Sequence, residues 1–274
     1  MKVSVSTASR TLVLVSLLFS FATATTPAQP AKVVFQSSEN KTSLLELYTS
    51  EGCSSCPPAE TRLSRLKESP RLWRDFVPVA FHVDYWDYLG WRDPFAASAY
   101  SKRQHAYADL WRSRSVYTPG FVLDGKEWGG WFKSDGPARS ANKPAGSLTA
   151  RSEDGRRWTL RFEPAAQSAS AAFDFHAALL GFDLITDVKA GENRGRKLEH
   201  DFVALDFSST TASRTGESFA ATLTLNSKPS AALKRLAVAA WVTPAKSLSP
   251  LQTVGGWLSS TNGVPSATPA VGQK

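Results

Sequence analysis

The residues that could do chemistry lie in one short stretch. Cys53 and Cys56 are the only cysteines in 274 residues, and Ser54-Ser55 separates them. The thiolate is the nucleophilic form of cysteine, and a free thiol ionises near pH ~8.5. A cysteine at a helix N-terminus meets unpaired amide groups and the positive end of the helix dipole, which favour the thiolate. The spacing therefore predicts Cys53 as an exposed nucleophile and Cys56, one turn further in, as the resolving thiol. Attack on a disulfide would leave a mixed disulfide on Cys53, which Cys56 would resolve. A bridge between residues three apart closes little chain entropy, so a purely structural disulfide would add little stability. Two alternatives stay open beside a redox pair: an inert disulfide, and metal ligation. A metal would need more ligands, and His82 and Asp84 at the end of a second strand are the candidates.

The elements around the pair can be read from patterning. Ser43 to Thr49 is a buried apolar strand, and Ser50 to Cys56 is the loop after it. Pro57-Pro58 opens a helix, since proline is tolerated in the first turn. Ala59, Leu63 and Leu66 give that helix one apolar face, and Pro70 ends it. Phe76 to Val83 reads as a second strand. Asp93-Pro94 predicts the start of a helix over 94–113, with Phe95, Ala99, Ala106 and Leu110 facing inward. Phe121 to Leu123 is a short strand with a hairpin signal at Asp124-Gly125. The first half thus predicts an α/β domain. From Ser147 to Val242, alternating segments separated by turn signals predict an antiparallel β-sandwich-like domain.

Composition excludes more than it assigns. A hydrophobic share of 42% with 20% charged residues is that of a globular chain. The net charge of +8 falls to +6 without residues 1–24, which carry Lys2 and Arg10 and no acid. What remains is spread evenly over both halves, so nucleic-acid binding is not expected. Residues 1–24 read as a secretory signal: two basic residues, an apolar run from Thr11 to Phe21, and Ala22-Thr23-Ala24 as a cleavage site. That run is too short to span a bilayer, which takes ~20 residues, so no membrane span is expected. The predicted organisation is signal peptide 1–24, leader 25–41, α/β domain 42–143, β-rich domain 144–258 and disordered tail 259–274. The expected location is the periplasm or the outside of the cell, where a cysteine pair can stay oxidised.

A second motif is Tyr117-Thr118-Pro119-Gly120-Phe121-Val122-Leu123-Asp124-Gly125. A proline entering a strand sits at its first residue or at a bulge. With the cysteine pair, this resembles the thioredoxin superfamily, which implies that Pro119 is a cis-proline beside the pair. It also implies that the backbone of Thr118 pairs with substrate. The resemblance is closer to one bacterial secreted family, catalogued as domain of unknown function 1223. Glu46 to Glu60, His82 to Trp91, Tyr117-Thr118-Pro119, Gly191-Glu192-Asn193-Arg194-Gly195 with His200, and Ala239 to Val242 carry it. It implies a thioredoxin-like N-terminal domain, with no settled reaction. Thioredoxins place an acid six residues before the first cysteine. Here that position is Leu47, and Glu46 is one residue off, on the opposite strand face.

The stretch from His82 to Trp91 holds Tyr85, Trp86, Tyr88 and Trp91 around Asp84 and Asp87. It reads either as an apolar rim that grips a substrate, through Tyr85 and Trp86, or as packing against the next helix. Glu192 and Arg194 read as making an interdomain or loop-bracing contact, with a place in the site as the alternative. The leading expectation is a thiol-disulfide oxidoreductase acting on a protein or a small thiol or disulfide, with no cofactor and no resident metal. The alternatives are a copper-handling module on Cys53, Cys56 and His82, or a binding protein with an inert disulfide. The sequence leaves substrate, electron partner and oligomeric state open.

Overall fold

A computed structural model describes Met1 and residues 32–132, 136–138, 143–165, 171–226 and 235–258. The expected signal segment, leader residues 25–31, the tail and the turn at Ser227 to Ser230 lie outside the described residues. Along the chain the strands are β1 (Val33–Gln36), β2 (Ser43–Thr49), β3 (Phe76–His82), β4 (Gly120–Leu123) and β5 (Lys126–Glu127). There follow β6 (Gly146–Ser152), β7 (Arg157–Pro164), β8 (Phe173–Phe182), β9 (Leu184–Asp187) and β10 (Lys197–His200). The last are β11 (Val203–Thr211), β12 (Ser213–Thr215), β13 (Ser218–Thr224), β14 (Arg235–Pro244) and β15 (Gln252–Leu258). Two α-helices occur among the described residues, α1 (Pro57–Arg65) and α2 (Ser98–Trp111).

The expected fold class is overturned. A thioredoxin-like α/β domain followed by a separate sandwich predicts a first-half sheet independent of the second-half sheets. Instead β15-β14-β8-β11-β3-β2-β4-β5 form one eight-stranded sheet drawn from both halves of the chain. The join is β3 with β11, a parallel pair at Val203 and Ala80, where Ala80 N–H also donates to Phe202 O at 2.8 Å. Strand edges carry unpaired N–H and C=O groups, and β11 covers the edge that β3 would otherwise expose. A five-stranded sheet, β1-β6-β7-β13-β12, packs on one face, and β9 and β10 form a separate hairpin. The molecule is therefore mostly β.

Strand alternation explains how one sheet serves two cores. In β8, Phe173, Phe175, Ala177 and Leu179 join the core under the five-stranded sheet. Their neighbours Ala178, Leu180 and Phe182 join the core under α1 and α2. β14 divides likewise, with Val238, Ala240 and Val242 on one side and Ala237, Ala239 and Trp241 on the other. These two are expected as alternating segments, but they are buried on both faces and form continuous apolar runs.

Helix α2 starts at Ser98, later than the Asp93-Pro94 signal, and Ala97 is its N-cap. Its buried face holds Tyr100, Ser101, Arg103, Gln104, Tyr107 and Ala108, while Leu110, expected inside, is exposed. The reason is a buried ion pair. Arg103 donates to Glu46 at 2.7 Å, and Tyr107 and Tyr48 donate to the same carboxylate at 2.5 and 3.2 Å. The Arg103 guanidinium also lies 5.4 Å from the centroid of the Trp241 ring, tying the helix to β14.

Candidate functional site

The end of β2, the loop after it and the start of α1 bring the cysteine pair to one end of the eight-stranded sheet. Both thiols are free, and both residues are buried, Cys53 1% and Cys56 0% exposed. Cys53 is thus not the exposed residue that its place in the loop predicts; the flanking Ser54 and Ser55 are the exposed ones. Ser55 Oγ lies 3.2 Å from Cys53 Sγ, and the Cys53 thiol donates to Thr118 O at 3.6 Å. The Thr118–Pro119 peptide is cis, and Gly120 opens β4 directly after it. Trp86 Nε1 donates to Thr118 Oγ1 at 2.8 Å. Tyr85 donates to Gln104 Oε1 at 3.0 Å, and Gln104 donates to Tyr117 O at 2.7 Å. The expected residues Cys53, Thr118, Pro119 and Trp86 therefore come together. Tyr85 joins them through Gln104, and Tyr85 and Trp86 also pack against the core.

The two thiols differ sharply. A hydrogen bond from Cys56, with others from Ser55 and Thr118, lowers Cys53 to about 6 against the opposing effect of burial. Burial, then the neighbouring Cys53, pushes the Cys56 thiol up. Helix amides supply less than expected, because the first helical residues are Pro57 and Pro58, which have no N–H. Side-chain donors take over the part assigned to the helix N-terminus.

A loop distant in sequence braces the pair. Between β9 and β10, Asn193 is fully buried and donates through Nδ2 to Glu51 O at 2.8 Å and Cys53 O at 2.9 Å. Glu192 accepts from Ser54 N–H at 2.9 Å, so it is a bracing residue of the cysteine loop itself. Asn193 was passed over in the sequence reading. Its signal was an amide side chain inside a turn framed by Gly191 and Gly195, both in the left-handed region with φ of 73° and 81°.

Behind the cysteines lies a buried set of ionisable groups that the sequence reading did not assemble. His82, at the end of β3, is fully buried and pairs through Nδ1 with Asp93 Oδ2 at 2.7 Å. His200, at the end of β10, faces Glu60 of α1 through Nδ1 and Glu51 through Nε2, the latter at 3.0 Å. Thr49 donates to the other oxygen of Glu60 at 2.5 Å, and Trp91 Nε1 donates to Glu51 at 2.6 Å. Burial opposes charge on His200, yet Glu60 and Glu51 raise it to about 10. Asp93 likewise raises His82 against burial. Burial also disfavours the charged forms of Glu60 and Asp93, but their histidine partners lower both. Among the described residues, Glu60, His82 and His200 bring one ligand atom each within 4.8 Å of one another, without either cysteine. Asp84, the other ligand candidate, instead accepts from Ser101 at 2.5 Å.

A family model described as a protein of unknown function, DUF1223, matches residues 44–243. The chain belongs to the DUF1223 family. The match takes in every site residue described above, from Glu46 to His200. No curated protein matches this DUF1223 chain. Among solved structures, it is similar to protein AGR_C_4864 from Agrobacterium tumefaciens at 22% identity, covering 85% of this chain and 100% of that one, with a TM-score of 0.55. It is also similar to HBP35 of Porphyromonas gingivalis at 15% identity, covering 85% and 82%, with a TM-score of 0.52. These likenesses concern the fold alone. Among the described residues, no helix is long and apolar enough to cross a membrane.

Proposed function

We propose that this DUF1223 protein is an exported thiol-disulfide oxidoreductase that works through Cys53 and Cys56. The observation that carries the reading is the setting of Cys53 Sγ, 3.2 Å from Ser55 Oγ and 3.6 Å from Thr118 O with Cys56 at the start of α1; its hydrogen bonds lower Cys53 to about 6 while burial raises Cys56. Near pH 7 this leaves Cys53 as the thiolate and Cys56 as the thiol that supplies its hydrogen bond. The Cys53 thiolate attacks one sulfur of a substrate disulfide, and the other leaves as a thiolate. A mixed disulfide then joins Cys53 to the substrate. Cys56 loses its proton and attacks Cys53 Sγ, which releases the second substrate sulfur and closes the Cys53–Cys56 disulfide. The substrate gains two electrons and the pair loses two; the reverse sequence oxidises a dithiol. Thr118 and Pro119 line the approach to Cys53, with Trp86 and Tyr85 beside them as the substrate-binding rim. A cleft of about 170 Å³ lined by Gln104, Trp111, Tyr117, Gly120 and Phe121 continues from this segment and suits an apolar side chain. The signal-like pattern of residues 1–24 supports export to an oxidising compartment.

The test is turnover of insulin disulfides with a thiol reductant, and of a dithiol with an oxidant. Wild-type protein is expected to catalyse at least one, and Cys53→Ser neither. No turnover by the wild type in either direction refutes the proposal. A second reading has one observation on its side: both cysteines are buried, as in a pair that only braces its loop. It predicts that the Cys53→Ser, Cys56→Ser double variant keeps whatever the wild type binds.

A further inference from the structure

His82 carries an unanswered nitrogen. Its Nδ1 is held by Asp93, while Nε2 is buried and has no hydrogen-bond partner in the protein. A proton on Nε2 would be a buried donor with nothing to accept it; a lone pair there would be a buried acceptor with nothing to donate to it. Either state carries the desolvation penalty of an unpaired buried polar atom. Nearby, three buried carboxylates, Glu51, Glu60 and Asp93, stand against only two imidazoles. The cluster therefore favours added positive charge.

We propose that Glu60, His82 and His200 form a binding site for one divalent transition-metal ion, with zinc the ion their donors suit best. Two imidazoles and one carboxylate are a donor set typical of zinc, and leave one tetrahedral position for water or a small ligand. Ligand atoms within 4.8 Å of one another close on a single ion with shifts of about an ångström, given metal bonds of about 2.0–2.2 Å. Two of the ligands already have the outer partner such sites use. Asp93 orients His82 through Nδ1 and Thr49 holds the second oxygen of Glu60, while the Glu51 carboxylate lies 3.0 Å from His200 Nε2 as its neighbouring charge. His82 thus offers Nε2, and His200 offers Nδ1, the nitrogen turned toward Glu60. The ligands come from three elements that meet behind the cysteine loop: α1, β3 and β10. The inference does not rest on the thiol reading, because neither cysteine is a ligand.

The purified chain is loaded with zinc, dialysed against metal-free buffer and assayed for bound zinc. The wild type and the Cys53→Ser, Cys56→Ser double variant are both expected to retain about one zinc per chain. Asp93→Asn is expected to weaken zinc binding by about 10- to 100-fold. His82→Gln, if folded, is expected to retain none. No zinc on the wild type overturns the site. Zinc lost from the cysteine-free variant assigns the ion to the thiols and also overturns it, as does full retention by folded His82→Gln. Should His82→Gln fail to fold, cobalt(II) in the cysteine-free variant decides. Intense visible bands of a low-coordinate nitrogen–oxygen site support the proposal; the weak spectrum of the hydrated ion contradicts it.

Discussion

Cys53 and Cys56 are three residues apart, yet their surroundings push their thiols in opposite directions. The cause is local: the Cys53 thiolate accepts from Cys56, Ser55 and the Thr118 side chain, while burial and the neighbouring Cys53 push Cys56 up. A Cys56→Ala variant loses the largest of those donors, so the Cys53 thiol is expected to rise toward the ordinary value of about 8.5, read from the pH profile of its alkylation. Asn193 acts on the same loop from a distance. An Asn193→Ala variant strands the carbonyl of Glu51 and leaves Cys53 O with only the Cys56 N–H, and is expected to cost about 1–3 kcal/mol of stability in urea unfolding. The cysteines were legible because their spacing and flanking prolines are local facts. Asn193, Glu60 and His200 were not, because their importance comes from partners up to 142 positions away.

Helix α2 shows what a hydrophobic pattern misses at the scale of an element. Its apolar stripe predicts Leu110 inside, and Leu110 is exposed. The face that is buried presents Arg103 and Tyr107, which Glu46 of β2 receives, and Gln104, which bonds to Tyr85 and Tyr117 O. Asp93 read as a helix cap, but its carboxylate serves His82 and the N–H groups of Glu51 and Phe95. Removing the carboxylate with Glu46→Gln leaves Arg103 buried without a counter-charge and is expected to cost about 3–5 kcal/mol. Leu110→Lys changes an exposed side chain and is expected to move stability by less than about 0.5 kcal/mol. The same urea experiment checks both. By contrast β2, α1, β3, β4 and most strands of the second half were predicted close to where they lie, since each carries its own periodicity or turn residues.

Across the whole molecule, the error was in the pairing of strands, not in their existence. Periodicity says that β3 and β11 are strands, but not that Ala80 and Val203 become partners. Once they do, the expected α/β unit is one end of a larger sheet. Its core shares Phe81 and Tyr48 with Ala178, Leu180 and Trp241 from the other half. A fragment ending at residue 143 would expose the β3 edge and that apolar face. It is expected to show no cooperative unfolding transition, whereas the intact chain shows one; a cooperatively folded fragment would contradict this account of the sheet.

The pH profile of carbamidomethylation of native Cys53, followed by mass spectrometry, bears on the central claim most directly. A reactive thiolate predicts modification without denaturant, with a rate that rises through a midpoint near 6, the value to which its hydrogen bonds bring Cys53. A thiol that resists modification until the protein unfolds, or one whose midpoint lies at the ordinary value of about 8.5, would contradict it.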